Sequence, residues 1–195
     1  VEKMGTEMHE LLTMANRTTE DVFSLLDNLL KWTKSQIGNL NVVYQDIDAV
    51  EVMDSVIDVF NMIAGLKKIT IREEKPEKLP VCADIDMLKT VIRNLLSNAI
   101  KFSNENSEVL VKMEEQGDMV VVSVKDNGCG IDEEGQKKLL HTDTHFSTFG
   151  TNNEEGSGLG LLLCQDFVVK NGGKLWFTSK QGEGSTFYFS IPLKK

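Results

Sequence analysis

Long apolar runs, paired cysteines and clustered basic residues are all scarce in this chain, and each scarcity removes a class of function. No run approaches the roughly 20 apolar residues that a membrane-crossing helix needs. Residues 1–16 also lack the basic-then-apolar order of a signal peptide, so the chain as given reads as soluble. The three cysteines, Cys82, Cys129 and Cys164, form an odd set without a Cys-x-x-Cys pair, which argues against a disulfide scaffold or zinc ribbon and for a reducing cytoplasm. His9, His141 and His145 lack the helical spacing of a metalloprotease site, and the last two read as ordinary loop histidines. Lys and Arg total 21 against 30 Asp and Glu, a net charge of −9. That balance opposes a nucleic-acid groove, which needs clustered cations to displace counterions from phosphates. An anionic ligand would have to find local donors.

What is present suits one sizeable domain with an appendage: 195 residues, 41% hydrophobic and 26% charged. Residues 1–40 carry Met4, Met8, Leu11, Ala15, Thr18, Val22, Leu25, Leu29, Trp32 and Gln36 at alternating steps of four and three, a heptad seam. Leu12, Phe23, Leu26, Leu30 and Ile37 widen the apolar stripe beyond a two-stranded coil. The alternatives are a terminal helix packed on its own domain and an intermolecular bundle. The length of the seam points to the bundle.

Residues 41–195 read as a second domain. Asp48 opens an amphipathic helix whose inward face is expected to hold Val52, Val56, Val59, Phe60 and Ile63. Short strands are expected at 68–72 and 79–83. Asp84 or Asp86 then opens a strongly periodic helix through Leu88, Val91, Ile92, Leu95, Leu96, Ala99 and Ile100. A hairpin at 109–115 and 119–125, helices at 133–140 and 159–170, and strands at 174–179 and 185–192 complete the order. Such an order does not alternate as a doubly wound sheet would. It predicts an α+β two-layer sandwich, a mixed sheet covered on one face by helices and preceded by the long amphipathic helix.

Four stretches carry candidate chemistry. Asn94, Asn98 and Lys101 share a helical face, which is either a solvated ridge or a set of carbonyl oxygens for Mg²⁺ and a cation for a phosphate. Asp126-Asn127-Gly128-Cys129-Gly130-Ile131 sets a carboxylate at a strand end before two glycines; the carboxylate can accept an exocyclic amine, although alone this is a common turn. Gly156-Ser157-Gly158-Leu159-Gly160 precedes an apolar helix, whose free amides and positive dipole end can cradle a phosphate. Its spacing is neither a Rossmann fingerprint nor a Walker loop. Gly182-Glu183-Gly184-Ser185-Thr186-Phe187 gives a tight turn into the last strand.

In this order and on these elements, the four stretches resemble the catalytic domain of sensor histidine kinases, whose superfamily includes DNA gyrase, the MutL repair proteins and the ninety-kilodalton heat-shock chaperone. The resemblance covers residues 84–193, with Asn94–Ser103 as the N box and the three glycine stretches as the glycine boxes. Leu25-Leu26-Asp27-Asn28-Leu29-Leu30-Lys31-Trp32 is similar to the second dimerisation helix of these kinases, particularly hybrid kinases of Bacteroidetes type. The resemblance implies a Bergerat-type fold, ATP and Mg²⁺ as cofactors, and γ-phosphoryl transfer to a histidine, then to an aspartate of a response regulator. By position it implies Asn98 as the Mg²⁺ ligand, Lys101 as a phosphate contact, Phe102 as an aromatic wall and Asp126 as the acceptor from the adenine amino group. It further implies that Gly128 and Gly130, before Ile131, keep the pocket open, and that 141–157 is the ATP lid with Phe146 or Phe149 as its aromatic. Gly156, Ser157, Gly158, Leu159 and Gly160 would border the triphosphate, and Thr186 would close the adenine end.

Asn94 separates transfer from hydrolysis: hydrolysing relatives carry a glutamate there to activate water, and an amide cannot accept that proton. His9-Glu10-Leu11-Leu12-Thr13 imitates the phosphoacceptor box but lacks its Arg and Pro and shares a heptad run with Trp32, so the acceptor is expected upstream of Val1. The expected partners are a second copy through the dimerisation helices and a receiver domain, with no nucleic acid and membrane contact only through upstream segments. The expected setting is the cytoplasmic side of an inner-membrane sensor. A degenerate scaffold that binds ATP or only dimerises is the competing class, opposed by Asn98, Lys101, Asp126 and the second-box glycines. Cys129 reads as a tolerated surface position and not a redox sensor.

Overall fold

In the computed structural model the described residues are 41–139, 150–151 and 158–194, together with 26, 29, 30 and 33. The last four are helical, and Leu26, Leu29 and Leu30 are 51%, 42% and 59% exposed. The rest of the heptad seam, with His9, lies outside the described residues, as do His141 and His145.

The chain first forms a short strand β1 (Gln45–Asp48) and helix α1 (Ala49–Leu66). Asp48 ends the strand and caps the helix, accepting from Val50 N and Leu79 N, both at 3.0 Å. Strands β2 (Thr70–Glu74) and β3 (Pro80–Ala83) follow, then α2 (Ile85–Phe102). The hairpin of β4 (Glu108–Gln116) and β5 (Met119–Lys125) turns through Gly117 at φ +64°, where a Cβ would be strained. A short α3 (Glu133–Lys138), α4 (Gly160–Lys170), β6 (Leu175–Lys180) and β7 (Gly184–Pro192) complete the order.

The five-stranded sheet runs β2-β4-β5-β7-β6, parallel only between β2 and β4. One face is apolar because strand alternation puts Val111 opposite Val124, Met113 opposite Val122, and Val122 opposite Phe189. These residues join one core with the buried faces of α1, α2 and α4. The α+β sandwich expected from the sequence is the architecture observed.

Two details differ from the sequence reading. A separate two-stranded sheet pairs β1 with β3 antiparallel, tolerating Pro80 because it is the first residue of its strand. The inward face of α1 also rotates. Val59 and Ile63 were expected inside but are 53% and 44% exposed, while Met53, Ile57 and Ala64 are buried beside Val52, Val56 and Phe60. The second half of α1 is apolar on both sides, so periodicity could not select its core face.

Candidate active site

Helix α2 brings the N box to the sheet end. Asp84 starts it, accepting from Asp86 N and Met87 N at 3.0 Å, and its leucines and valines fix the rotation that leaves Asn94 and Asn98 half-buried. Asn94 Nδ2 donates to Thr90 O at 2.9 Å, which turns the amide oxygen outward. That oxygen faces the first residue of α4: a Cβ on Gly160 would stand 2.9 Å from Asn94 Oδ1. Lys101 Nζ lies 5.0 Å from the Phe102 ring centroid, a cation–π contact at the end of the helix.

Asp126, just beyond β5, is 3% exposed. Its Oδ1 accepts from Gly128 N at 2.9 Å and Ser185 N at 3.2 Å, so both bonds fall on one oxygen. Burial pushes its pKa above the ordinary aspartate value, and the backbone donors of Gly128, Ser185 and Asp126 itself only partly oppose that shift. The glycines beside it serve close backbone contacts. A Cβ on Gly128 would stand 2.0 Å from Phe102 O, and one on Gly130, at φ +63°, 2.0 Å from Lys180 O. Cys129 N donates to Phe102 O at 3.4 Å and its carbonyl accepts from Gly182 N at 2.7 Å. The N box and the first and third glycine boxes are therefore in direct contact.

Thr186 takes a different place from the one expected. It lies opposite Lys125 and Thr178, and strand alternation puts that row on the sheet face away from Val124 and Phe187. The third-box residue that meets Asp126 is Ser185, whose Oγ lies 2.8 Å from Ser179 Oγ. Ser179 Oγ also accepts from Ile131 N at 2.9 Å, so two serines tie the first and third boxes together. Neither serine stood out in the sequence; the available signal was the period-two alternation after Gly184.

Of the second box, Gly158 has φ +68°, and Leu159 precedes α4 in a helical conformation. Helix α4 is 11 residues long, enough for its N-terminal amides to present partial positive charge. Gly156, Ser157, Phe146 and Phe149 lie outside the described residues.

The donor set fits ATP: a buried carboxylate for an amine, an aromatic ring with a lysine beside it, and a helix start beside the Asn94 amide oxygen. Asn98 offers an amide oxygen of the hard kind Mg²⁺ takes. Among the described residues, no three His, Cys, Asp or Glu side chains cluster as a metal site. No helix among them is long and apolar enough to cross a membrane.

Residues 83–195 match the family described as "Histidine kinase-, DNA gyrase B-, and HSP90-like ATPase". Over 194 residues the chain is 30% identical to the adaptive-response sensory kinase SasA of Rippkaea orientalis, covering 98% of this chain and 49% of that protein. The chain thus spans about half the length of the curated relatives it matches. The catalytic domain of histidine kinase ThkA superposes with a TM-score of 0.67 at 31% identity, covering 77% of this chain and 96% of that one. ThkA in complex with the response regulator protein TrrA shares the fold, with a TM-score of 0.75 at 24% identity, covering 96% and 52% of the two chains.

Proposed function

The chain belongs to the histidine kinase-, DNA gyrase B- and HSP90-like ATPase family and carries a histidine-kinase-type catalytic domain; from that premise we propose that it is the ATP-binding core of a sensor histidine kinase. It moves the γ-phosphoryl group of Mg-ATP to a histidine on a dimerisation helix, from which an aspartate of a response regulator takes it. Asn98 would hold Mg²⁺ on the protein side, and the ion would supply charge neutralisation for the transferred group. The remaining work is positioning. Asp126 and Phe102 orient the adenine, Lys101 and the first turn of α4 receive phosphates, and Gly156–Gly160 line them. Neutral imidazole is already nucleophilic, so no protein base is required at Asn94.

The observation that carries this reading is Asn94, whose amide oxygen faces the start of α4 where a hydrolysing relative would need a carboxylate. The ThkA–TrrA complex supports a receiver domain as the downstream partner, and the exposed leucines at 26, 29 and 30 support pairing with a second copy. The same reading sets the domain on the cytoplasmic side of an inner-membrane sensor.

The test is incubation of the chain with Mg-ATP and a separate fragment bearing the acceptor helix. Acid-labile, base-stable phosphate on that fragment is expected. Asn94→Glu should lose that transfer and gain ATP hydrolysis. ATP binding without any transfer would favour a scaffold, and an unchanged ratio of transfer to hydrolysis in Asn94→Glu would remove Asn94 from the argument.

A further inference from the structure

The last four carbonyls of an α-helix have no partner within the helix, and each must be satisfied from outside. At the end of α2 the accounting is complete. Ala99 O takes Ser103 N at 3.0 Å and Phe102 O takes Cys129 N at 3.4 Å. The two between them, Ile100 O and Lys101 O, take the ammonium of Lys67 at 3.0 and 2.8 Å. Lys67 comes from the end of α1, is only 8% exposed, and also donates to Thr151 Oγ1 at 2.6 Å. Thr151 is bound to the same helix end: its N–H donates to Lys101 O at 3.2 Å, and its hydroxyl lies 2.8 Å from Ser103 O and 3.1 Å from Lys101 O.

A buried ammonium gives up its hydration and is kept only where carbonyls and hydroxyls replace it. Here they do, and the cation also meets the negative end of the α2 dipole. The carbonyl of Lys101 is the busiest acceptor in this group, contacted by Lys67 Nζ, Thr151 N and Thr151 Oγ1. The same residue's side chain projects over Phe102.

We propose that Lys67 is a positioning residue for nucleotide binding: by gripping the carbonyls of Ile100 and Lys101 together with Thr151, it fixes the last turn of α2 and so aims the Lys101 side chain. This rests on the reading of the site as an ATP site. Lys67 does not touch the nucleotide; its effect passes through the backbone of Lys101.

The experiment is calorimetric titration of the 195-residue chain with Mg-ATP, at a temperature where circular dichroism shows every variant folded. Lys67→Met is expected to weaken binding by about tenfold or more, as the loss of a hydrogen-bonded charge at a positioning site implies. Lys67→Arg, which keeps the cation and its donors, is expected to recover most of that loss. In a Lys101→Met background the Lys67→Met effect should largely vanish, because residues acting through one contact are not additive. A purely structural lysine would lower the melting temperature and show no such coupling. Binding by Lys67→Met within about twofold of the unmodified chain overturns the proposal, as does full additivity with Lys101→Met. Should Lys67→Met fail to fold, Thr151→Val tests the same junction: several-fold weaker binding supports the proposal and unchanged binding overturns it. Absence of Mg-ATP binding by the unmodified chain is a different result, since it removes the ATP reading itself and the inference with it.

Discussion

Asp126 is held in a state that favours recognition over stability. Its carboxyl is buried, and burial raises its pKa despite the Gly128 and Ser185 donors. A raised folded-state pKa means that stability from the protonated form is fully present below the unfolded value and is lost as pH rises through the folded one. At neutral pH the ionised group therefore weighs against the fold. Asp126→Asn can keep both backbone donors on its amide oxygen, so urea denaturation should show the variant as stable as the original or more so. It would turn an NH₂ toward the adenine amine, and ATP affinity should fall by about ten- to a hundredfold. Affinity in the unmodified chain should also decline on acidification from a pH above the ordinary aspartate range, a decline Asp126→Asn should lack. A variant that loses affinity and stability together would make Asp126 a structural residue instead.

At the scale of elements, helix α2 is fixed at both ends by segments distant in sequence. Asp84 caps its first turn through Oδ1, accepts Val43 N at 2.9 Å through Oδ2, and donates its own N–H to Asn171 Oδ1 at 2.8 Å. One carboxylate thus joins the stretch preceding β1 to α2, and its backbone joins α2 to the end of α4. Asp84→Ala should cost about 2 kcal/mol, the upper part of the range for an N-cap, because a third donor is orphaned with the two it caps. Equilibrium urea denaturation measures this, and a loss under about 0.5 kcal/mol would show that the junction carries little. Asp84 was legible as one of two possible caps, since the periodic run begins beside it. Its second role was not, because nothing local connects Val43 or Asn171 to it. The same limit explains β1, whose four residues Gln-Asp-Ile-Asp have no alternation of their own and form a strand only because Pro80–Ala83 lies alongside. Placement was readable where motif and element coincide: Asn94 and Asn98 lie on α2, Asp126 just beyond β5 and Gly160 at the start of α4, as expected. Lys67 belongs to no motif, and its meaning appears only once the carbonyls at the end of α2 need a donor.

Across the whole molecule, the proposed nucleotide site straddles a seam of the core. Helices α2 and α4 pack directly on each other, and Cys164 lies fully buried between them, its sulfur 3.9 Å from Val91 O, with burial pushing its thiol pKa up. Cys82 and Cys129 are exposed. In a chain carrying Cys82→Ser and Cys129→Ser, the remaining thiol should therefore react with a disulfide reagent only when the seam opens. If Asn94 and Lys101 on α2 and the first turn of α4 hold one ligand, that ligand must stabilise the closed seam against every state that exposes Cys164. Linkage sets the size: labelling should slow by a factor of one plus the ratio of free ligand to its dissociation constant, roughly a hundredfold at a hundred times that constant. Slowing by that factor with Mg-ATP, and none with Mg²⁺ alone, would show that binding energy reaches both helices. An unchanged rate at saturating Mg-ATP would mean that the nucleotide rests on one helix only, and the two-helix site argued from Asn94 and Gly160 would have to be given up.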